Sequence, residues 1–236
     1  MTHTARIAAF VAILIMAPLG AAQDVAGVGT LSPPPASPWD DAFASFAAAD
    51  TASPPPDGGV VFVGSSSIRL WKDLEHTFQA QPVVIKRGFG GSKLSDCVQN
   101  LRRLVTRYRP RTVLVYAGDN DLASGSTPEQ VLRRFTAFVE GVHRDLPRTR
   151  IDYISIKPSP ARRALMPLVR ETNALIAAYV AGKPGLGYID VFTPMLDELG
   201  EPRRELFLPD RLHLNRDGYA LWKSVIAPYV VEASAR

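Results

Sequence analysis

The feature that most constrains the fold is an alternation of short apolar runs with amphipathic segments, which starts at Gly59 and continues nearly to the C-terminus. Fully buried strands of a parallel sheet are near-continuous apolar runs rather than alternating ones. Five such runs are present, at residues 60–63, 82–85, 112–116, 151–156 and, more weakly, 187–191. Strands that alternate with helices in this way predict an α/β fold, a three-layer α/β/α sandwich around a parallel five-stranded sheet.

One predicted helix has a specific start signal. Thr127-Pro128-Glu129-Gln130 combines a capping box with proline at the first helical position, and it predicts a helix that runs to about Asp145. The other helices are indicated by apolar stripes, at Leu94, Cys97, Val98, Leu101, Leu104 and Val105, at Leu165, Leu168, Thr172, Leu175 and Tyr179, and at Tyr219, Trp222, Val225, Ile226 and Tyr229.

Composition excludes several classes of protein and of site. The 236 residues are 46% hydrophobic and 21% charged, which is typical of one globular domain or at most two small ones. Cys97 is the only cysteine and the four histidines are scattered, so a Cys/His zinc cluster is excluded, although a carboxylate metal site is not. The net charge is +4, but the sequence contains no run of five basic residues. This distribution of charge argues against nucleic acid as a partner.

The N-terminus is typical of a secretory signal peptide. Arg6 supplies a positive charge, residues 7–19 form an apolar run of 13 residues, and the small residues Gly20, Ala21 and Ala22 suit a cleavage site. A membrane helix needs about 20 residues, so the run is too short for a stable anchor. We therefore expect residues 1–22 to be removed and the mature protein to be periplasmic or secreted.

Residues 23–58 hold seven of the 20 prolines, which predicts a Pro-rich tether. Between its two proline clusters lies one short helix candidate. Ser37 can cap this helix, Pro38 suits its first turn, and Trp39, Phe43 and Phe46 repeat on one face. We expect this helix to dock on the main domain, which the sequence predicts at residues 59–236.

Four segments with chemically useful residues follow strands or precede the last helix. They are Gly64-Ser65-Ser66-Ser67, Arg87-Gly88-Phe89-Gly90-Gly91-Ser92, Ala117-Gly118-Asp119-Asn120-Asp121 and Asp210-Arg211-Leu212-His213-Leu214-Asn215. Ligands of parallel sheets bind beyond the carboxyl ends of the strands, so all four segments can meet at one edge.

These residue types suit acyl transfer. A serine hydroxyl becomes a nucleophile when a base takes its proton, and His213 is a candidate base, with Asp210 three residues earlier able to orient the imidazole. A backbone N–H at Gly90-Gly91 and the amide of Asn120 are candidate donors for an oxyanion. Each residue alone is more often a helix cap, a turn or a structural histidine, and their joint order carries the inference.

The four segments resemble the sequence blocks of the SGNH (GDSL-like) hydrolase superfamily, and the resemblance covers about residues 59–231. It implies Ser66 as nucleophile, Asp210 and His213 as the other triad members, and an oxyanion hole formed by the Ser66 and Gly91 N–H groups and the Asn120 amide. It also implies a flavodoxin-like sandwich and esterase or acylhydrolase activity without a metal or other cofactor.

Two positions depart from the usual family pattern. Ser65 stands where the family commonly has aspartate. In this respect the sequence is similar to a branch of the family that has Gly-Ser-Ser-Ser-Ile and a nearby tryptophan, here Trp71. Lys86 stands where an asparagine commonly opens the glycine block. Trp71, Phe89, Lys157 and residues 122–126 are candidates to line the substrate pocket, and core packing or a solvated loop would explain them equally well.

The expected function is therefore an exported serine ester hydrolase acting on a small-molecule or polysaccharide ester, with removal of O-acetyl groups from carbohydrate as one example. A lysophospholipase or thioesterase of the same family is an alternative. A non-catalytic cell-envelope binding protein with the same fold is another. Acyl length, the alcohol part of the substrate and the oligomeric state do not follow from the sequence.

Overall fold

The computed structural model describes Met1, residues 37–78 and residues 83–232. Apart from Met1, the predicted signal peptide and the tether up to Ala36 lie outside the described residues. The residues from Ser37 onward belong to one compact unit.

Five parallel strands form a single sheet in the order β2-β1-β3-β4-β5. Parallel strands are joined by crossover connections, which usually contain a helix. The chain moves in one direction along the sheet from β1 to β2 and in the other direction from β2 to β5, so right-handed crossovers place helices on both faces of the sheet. The predicted three-layer α/β/α sandwich is confirmed. The strands are β1 (Val60–Gly64), β2 (Val84–Gly88), β3 (Thr112–Tyr116), β4 (Arg150–Ile154) and β5 (Leu186–Ile189).

Strand β2 lies farther along the chain than its apolar run predicts. It pairs with β1 in register from Val60 opposite Val84 to Gly64 opposite Gly88, so it includes Lys86 and the buried Arg87. A pair of basic residues is not typical of a buried strand, so the prediction ended the strand before Lys86. The predicted bounds of 82–85 were therefore wrong. Strands β4 and β5 also end two residues earlier than predicted.

Nine α-helices are present in the described part of the chain. The start of α7 confirms the predicted capping box, because Thr127 Oγ1 accepts from Gln130 N at 3.3 Å and Gln130 Oε1 accepts from Thr127 N at 3.0 Å. The helices are α1 (Asp40–Ala52), α2 (Ser66–Arg69), α3 (Leu74–Thr77), α4 (Leu94–Gln99), α5 (Leu101–Leu104), α6 (Asp119–Ala123), α7 (Pro128–Asp145), α8 (Met166–Val180) and α9 (Arg216–Glu232).

The apolar stripe that starts at Leu94 is divided between α4 and α5 instead of lying on one helix. Asn100 has non-helical backbone angles between them, and its side-chain amide donates to the Asp96 carbonyl at 2.9 Å. Asparagine side chains compete in this way with helical hydrogen bonds. Cys97 is fully buried, as predicted, and burial together with the negative charge of Asp96 raises the pKa of its thiol.

The most deeply buried face of helix α8 is offset from the predicted stripe, although Leu165, Leu168 and Tyr179 of that stripe also pack, partly buried, against the core. Asn173 lies on the most deeply buried face, and its side chain accepts from Ile156 N and donates to Ile156 O, both at 2.9 Å. The predicted stripe shares only Thr172 with the buried face, and its other members are partly exposed. The residues that are buried are Met166, Val169, Thr172, Asn173, Ile176 and Val180.

Helix α1 packs against the sheet domain through Phe43 and the partly buried Phe46. It begins at Asp40, two residues later than Pro38, and Trp39 takes the N-cap position that Ser37 was expected to fill. Near its C-terminal end, the carboxylate of Asp50 forms a buried ion pair with Arg87. None of the helices described is long and apolar enough to cross a membrane.

Candidate active site

The nucleophile candidate lies where β1 ends and α2 begins. Gly64 has φ +144°, and a Cβ atom there would lie 1.9 Å from the carbonyl oxygen of Tyr116 on the neighbouring strand. Only glycine fits this close approach, and Ser65 N then donates to the same oxygen at 3.0 Å. Ser66 follows as the first residue of α2, partly exposed at the sheet edge.

Three side chains that are far apart in the sequence form one hydrogen-bonded chain. His213 Nε2 lies 3.0 Å from Ser66 Oγ, and His213 Nδ1 lies 2.6 Å from Asp210 Oδ2. An acceptor carboxylate at Nδ1 favours the tautomer that carries its proton there, which leaves Nε2 free to accept the serine proton. The arrangement is that of a nucleophile, a base and the group that orients the base.

Asp210 is held in its ionised form. Its partial burial acts to raise the pKa of the carboxyl, but the His213 backbone N–H, the imidazole and the Leu212 N–H lower that pKa to about 2. Both backbone N–H groups donate to Oδ1 at 2.9 Å, and Oδ2 is therefore left for the imidazole. The spacing of three residues makes this possible, because the turn folds back on the aspartate side chain.

The glycine loop after β2 is tied to the same edge. Phe89 N donates to the Gly64 carbonyl at 2.9 Å, directly beside the Ser66 segment. Gly91 has φ +77°, a conformation that glycine adopts without strain, and no atom lies within 4 Å of where its Cβ would stand. Gly91 is exposed to solvent.

Asn120 lies beside this loop, because its Nδ2 donates to the carbonyl of Ser92 at 3.0 Å. The orientation of its amide is set by Arg162, whose Nη2 donates to Asn120 Oδ1 at 3.0 Å. A guanidinium only donates, so Oδ1 must be the acceptor end of the amide. One of the two Nδ2 hydrogens goes to Ser92, and the amide has a second one to offer.

A comparison with known protein families gave a match that covers most of the described residues. A model of the GDSL-like lipase/acylhydrolase family matches residues 56–221, which is more than half of the chain. The chain belongs to this family. The comparison with curated proteins gave no match.

Solved structures show the same fold for this GDSL-like chain at low identity. A GDSL-like lipase from Bacteroides thetaiotaomicron is 20% identical with a TM-score of 0.68, covering 81% of this chain and 98% of that one. A lipase/acylhydrolase from Enterococcus faecalis is 19% identical with a TM-score of 0.59, covering 73% and 95%. A carbohydrate esterase family 3 protein from Talaromyces cellulolyticus is 16% identical with a TM-score of 0.60, covering 74% and 97%.

Next to Asn120, and connected to it through Arg162, the GDSL-like domain contains a buried charged cluster that was not predicted from the sequence. The carboxylate of Asp119 lies 2.5 Å from Arg162 Nη1 and 3.1 Å from Lys157 Nζ, and Lys157 also donates to the Tyr116 hydroxyl at 3.1 Å. Two cations share one carboxylate, so the cluster carries one positive charge in excess. The sequence signal was that Asp119 and Lys157 follow closely after the ends of β3 and β4.

Burial alone would neutralise the charges of this cluster, but the groups hold one another ionised. Desolvation raises the pKa of Asp119 less than Lys157 and Arg162 lower it, so the net shift is downward. Desolvation likewise lowers the pKa of Lys157 less than Asp119 and Tyr116 raise it. The Lys157 side chain is 1% exposed and contacts Asp119 and Tyr116, so this residue belongs to the buried cluster and does not line an open pocket.

The other pocket candidates differ in exposure. Phe89 is fully buried and packs in the core. Trp71 is 4% exposed and packs against Tyr219, with ring centroids 5.2 Å apart. It also borders a cavity of about 510 Å³ between the α2–α3 segment and α9. Within residues 37–78 and 83–232, no three His, Cys, Asp or Glu side chains are grouped so that they could hold a metal ion.

The third acidic residue near the site has a structural contact instead of a catalytic one. Asp121 is fully buried, pairs with Arg134 at 2.6 Å and accepts from Leu94 N at 3.1 Å. It thereby connects α6 to the starts of α4 and α7. Both carboxylate oxygens of Asp121 therefore have partners within the protein.

Proposed function

We propose that the protein is an exported serine ester hydrolase in which Ser66, His213 and Asp210 form the catalytic triad. The observation that carries this proposal is the unbroken hydrogen-bonded chain from Ser66 Oγ through the imidazole to the Asp210 carboxylate. Membership of a lipase/acylhydrolase family supports the same reaction class.

The reaction begins when Ser66 Oγ attacks the carbonyl carbon of the ester and His213 Nε2 takes the hydroxyl proton. The imidazolium that forms is stabilised by Asp210. The carbonyl oxygen becomes an oxyanion, which accepts hydrogen bonds from the Ser66 and Gly91 N–H groups and from Asn120 Nδ2. As the first residue of α2, Ser66 has an N–H without an intrahelical acceptor.

His213 then returns the proton to the leaving alcohol, and the acyl group stays on Ser66. Water attacks the acyl-enzyme while His213 takes one of its protons. The bond between the acyl carbon and Ser66 Oγ then breaks as His213 returns that proton to Oγ, which releases the acid and regenerates Ser66. The excess positive charge of the Asp119 cluster lies one hydrogen bond from Asn120, so it favours negative charge on the oxyanion in both steps.

The experiment that tests the proposal measures hydrolysis of a small aryl acetate by the wild type, Ser66→Ala and Ser65→Ala. Ser65 is the matched control, because it is the neighbouring serine and its side chain makes no cap hydrogen bond. We expect turnover to fall by about 10³-fold or more in Ser66→Ala and to persist in Ser65→Ala. Equal turnover in wild type and Ser66→Ala would reject Ser66 as the nucleophile and leave the binding-protein alternative.

The proposed substrate is a small-molecule or polysaccharide ester, with O-acetylated carbohydrate as the first to test. The signal-peptide pattern of residues 1–22 supports an extracytoplasmic location, and a carbohydrate esterase shares the fold. Rates on acetyl, butyryl and long-chain acyl esters distinguish this from a lysophospholipase or thioesterase. In an apolar pocket each added methylene contributes about 1–3 kcal/mol, so a steady rise with chain length would favour those alternatives.

A further inference from the structure

The peptide group between Gly90 and Gly91 makes a contact that connects the proposed oxyanion hole to the N-terminal helix. Its carbonyl oxygen, on Gly90, accepts a hydrogen bond from the indole Nε1 of Trp39 at 2.9 Å. Its N–H is the one that belongs to Gly91, the proposed backbone donor to the oxyanion. Trp39 lies 51 residues earlier, before the segment at 56–221 that the family shares.

We propose that Trp39 is a positioning residue for the oxyanion hole, acting through the Gly90–Gly91 peptide group, so that helix α1 is a functional part of the active site. This inference rests on the proposed function, because it assumes that the Gly91 N–H binds the oxyanion.

The argument begins with the geometry of a peptide group. In a trans peptide the C=O and N–H bonds lie in one plane and point in opposite directions. A donor that holds the Gly90 oxygen in place therefore also sets the direction of the Gly91 N–H. The same hydrogen bond polarises the peptide group, and this strengthens its N–H as a donor.

This particular peptide group needs an external anchor. Glycine has the least restricted backbone of any residue, and here two glycines are consecutive. Gly91 is exposed and has nothing within 4 Å of the position of a Cβ atom, so side-chain packing does not hold it. Catalytic donors must be preorganised, because reorientation during the reaction reduces their benefit.

Trp39 is itself held firmly against the loop. Its ring meets Phe89 edge to face with centroids 5.3 Å apart, and Phe43 packs on the same Phe89 ring at 5.5 Å. At the other end of α1, the buried pair of Asp50 and Arg87 fixes the helix to strand β2, which leads directly into the loop. The helix that positions the indole N–H is therefore held against the sheet domain at both of its ends.

The test compares Trp39→Phe and Trp39→Leu, which keep an apolar side chain but lose the N–H donor, with the wild type. Phe46→Leu is the matched control, because Phe46 lies on the same helix and packs against the same core, with its ring against Phe43 and Arg87. We expect kcat for aryl acetate to fall about three- to tenfold in both Trp39 variants, with KM nearly unchanged, as for loss of one orienting hydrogen bond.

A second readout reports on the oxyanion hole without turnover. A small alkylboronic acid forms a tetrahedral adduct with a catalytic serine, and the adduct places an oxygen where the oxyanion forms. Its inhibition constant should rise in the Trp39 variants by the same factor as kcat/KM falls, since both depend on transition-state-like binding. Phe46→Leu should lower Tm while leaving both quantities within about twofold of the wild type.

Two results would overturn the inference. One is that Trp39→Phe keeps the kcat and the boronic acid affinity of the wild type. The other is that Phe46→Leu loses as much kcat and boronic acid affinity as the Trp39 variants do, which would mean that helix packing alone matters. Either result leaves the proposed function intact if the wild type is active and Ser66→Ala is not. An inactive wild type, or an active Ser66→Ala, would instead overturn the proposed function itself.

Discussion

Arg162 donates to Oδ1 of Asn120 at 3.0 Å while its other terminal nitrogen contacts Asp119 at 2.5 Å, so one guanidinium joins a buried carboxylate to the proposed oxyanion donor. We expect Arg162→Met to lower kcat for aryl acetate about tenfold, because the Asn120 amide loses the contact that sets its orientation. Arg162→Lys should recover only part of this loss, since an ammonium cannot hold both partners in the same planar geometry.

A double-mutant cycle separates orientation of Asn120 from a general effect on stability. If Arg162 acts mainly through Asn120, Arg162→Met should lower kcat by a clearly smaller factor in an Asn120→Ala background than in the wild type, and the remaining loss is that of its charge from the Asp119 cluster. Equal losses in both backgrounds would show that Arg162 acts elsewhere. Tm measured for all four proteins records the structural contribution separately.

Asn120→Ala is expected to lower kcat by about 10²–10³-fold while changing KM little, because the amide stabilises mainly the transition state. Ser124→Ala is the control: its hydroxyl donates to the backbone oxygen of Asn120 at 2.8 Å and does not contact the side chain. Steady-state kinetics on an aryl acetate measures both parameters. A raised KM with kcat preserved would make Asn120 a residue that binds substrate.

Activity should fall as the pH is lowered from 8 to 5, because a catalytic imidazole acts as a base only in its neutral form. The base form of His213 is required to accept the Ser66 proton, and protonation removes it. Asp210 has its pKa lowered to about 2 and stays ionised throughout, so its titration does not contribute. The measurement is kcat/KM against pH, with far-UV circular dichroism to show that the chain remains folded; a flat profile would contradict the role of His213.

Asp50→Asn is expected to destabilise the protein by about 3–5 kcal/mol, because Arg87 would keep its charge in a buried site without a carboxylate. The matched control is Asp57→Asn, which removes an exposed ion pair with Arg109 at 3.2 Å and should cost less than about 1 kcal/mol. Urea denaturation measures both. Equal free energies of unfolding for the two variants would show that burial of the Asp50 pair is unimportant.

Several elements could be predicted because their signals are local. Residues 112–116 form β3 with the predicted bounds, since a short apolar run between Pro110-Arg111 and Ala117-Gly118 suits a central strand. Helix α7 starts at the predicted capping box because its cap is made by residues three apart. The resemblance also singled out Ser66, Asp210 and His213, which the structure places within hydrogen-bond distance; their catalytic roles stay a prediction.

Other features depend on partners distant in the sequence. The bounds of β2 were wrong because Arg87 is buried by pairing with Asp50, 37 residues earlier. The most deeply buried face of α8 is offset by one residue from the predicted stripe, and Asn173 on that face bonds to Ile156, 17 residues earlier. A pattern of apolar residues contains no information on which polar groups will find buried partners, and those partners decide the register of a strand and the rotation of a helix.

The sequence by itself determined the order of strands and helices, the capped start of α7 and the loops that carry the candidate catalytic residues, because all of these depend on neighbouring residues. Only the tertiary structure decided that Arg162 orients Asn120 and that Trp39 holds the Gly90 carbonyl. Hydrogen bonds need donor and acceptor within about 3 Å and correctly aligned. Chain segments 42 and 51 residues apart meet that condition only after the whole sheet and its helices have packed together.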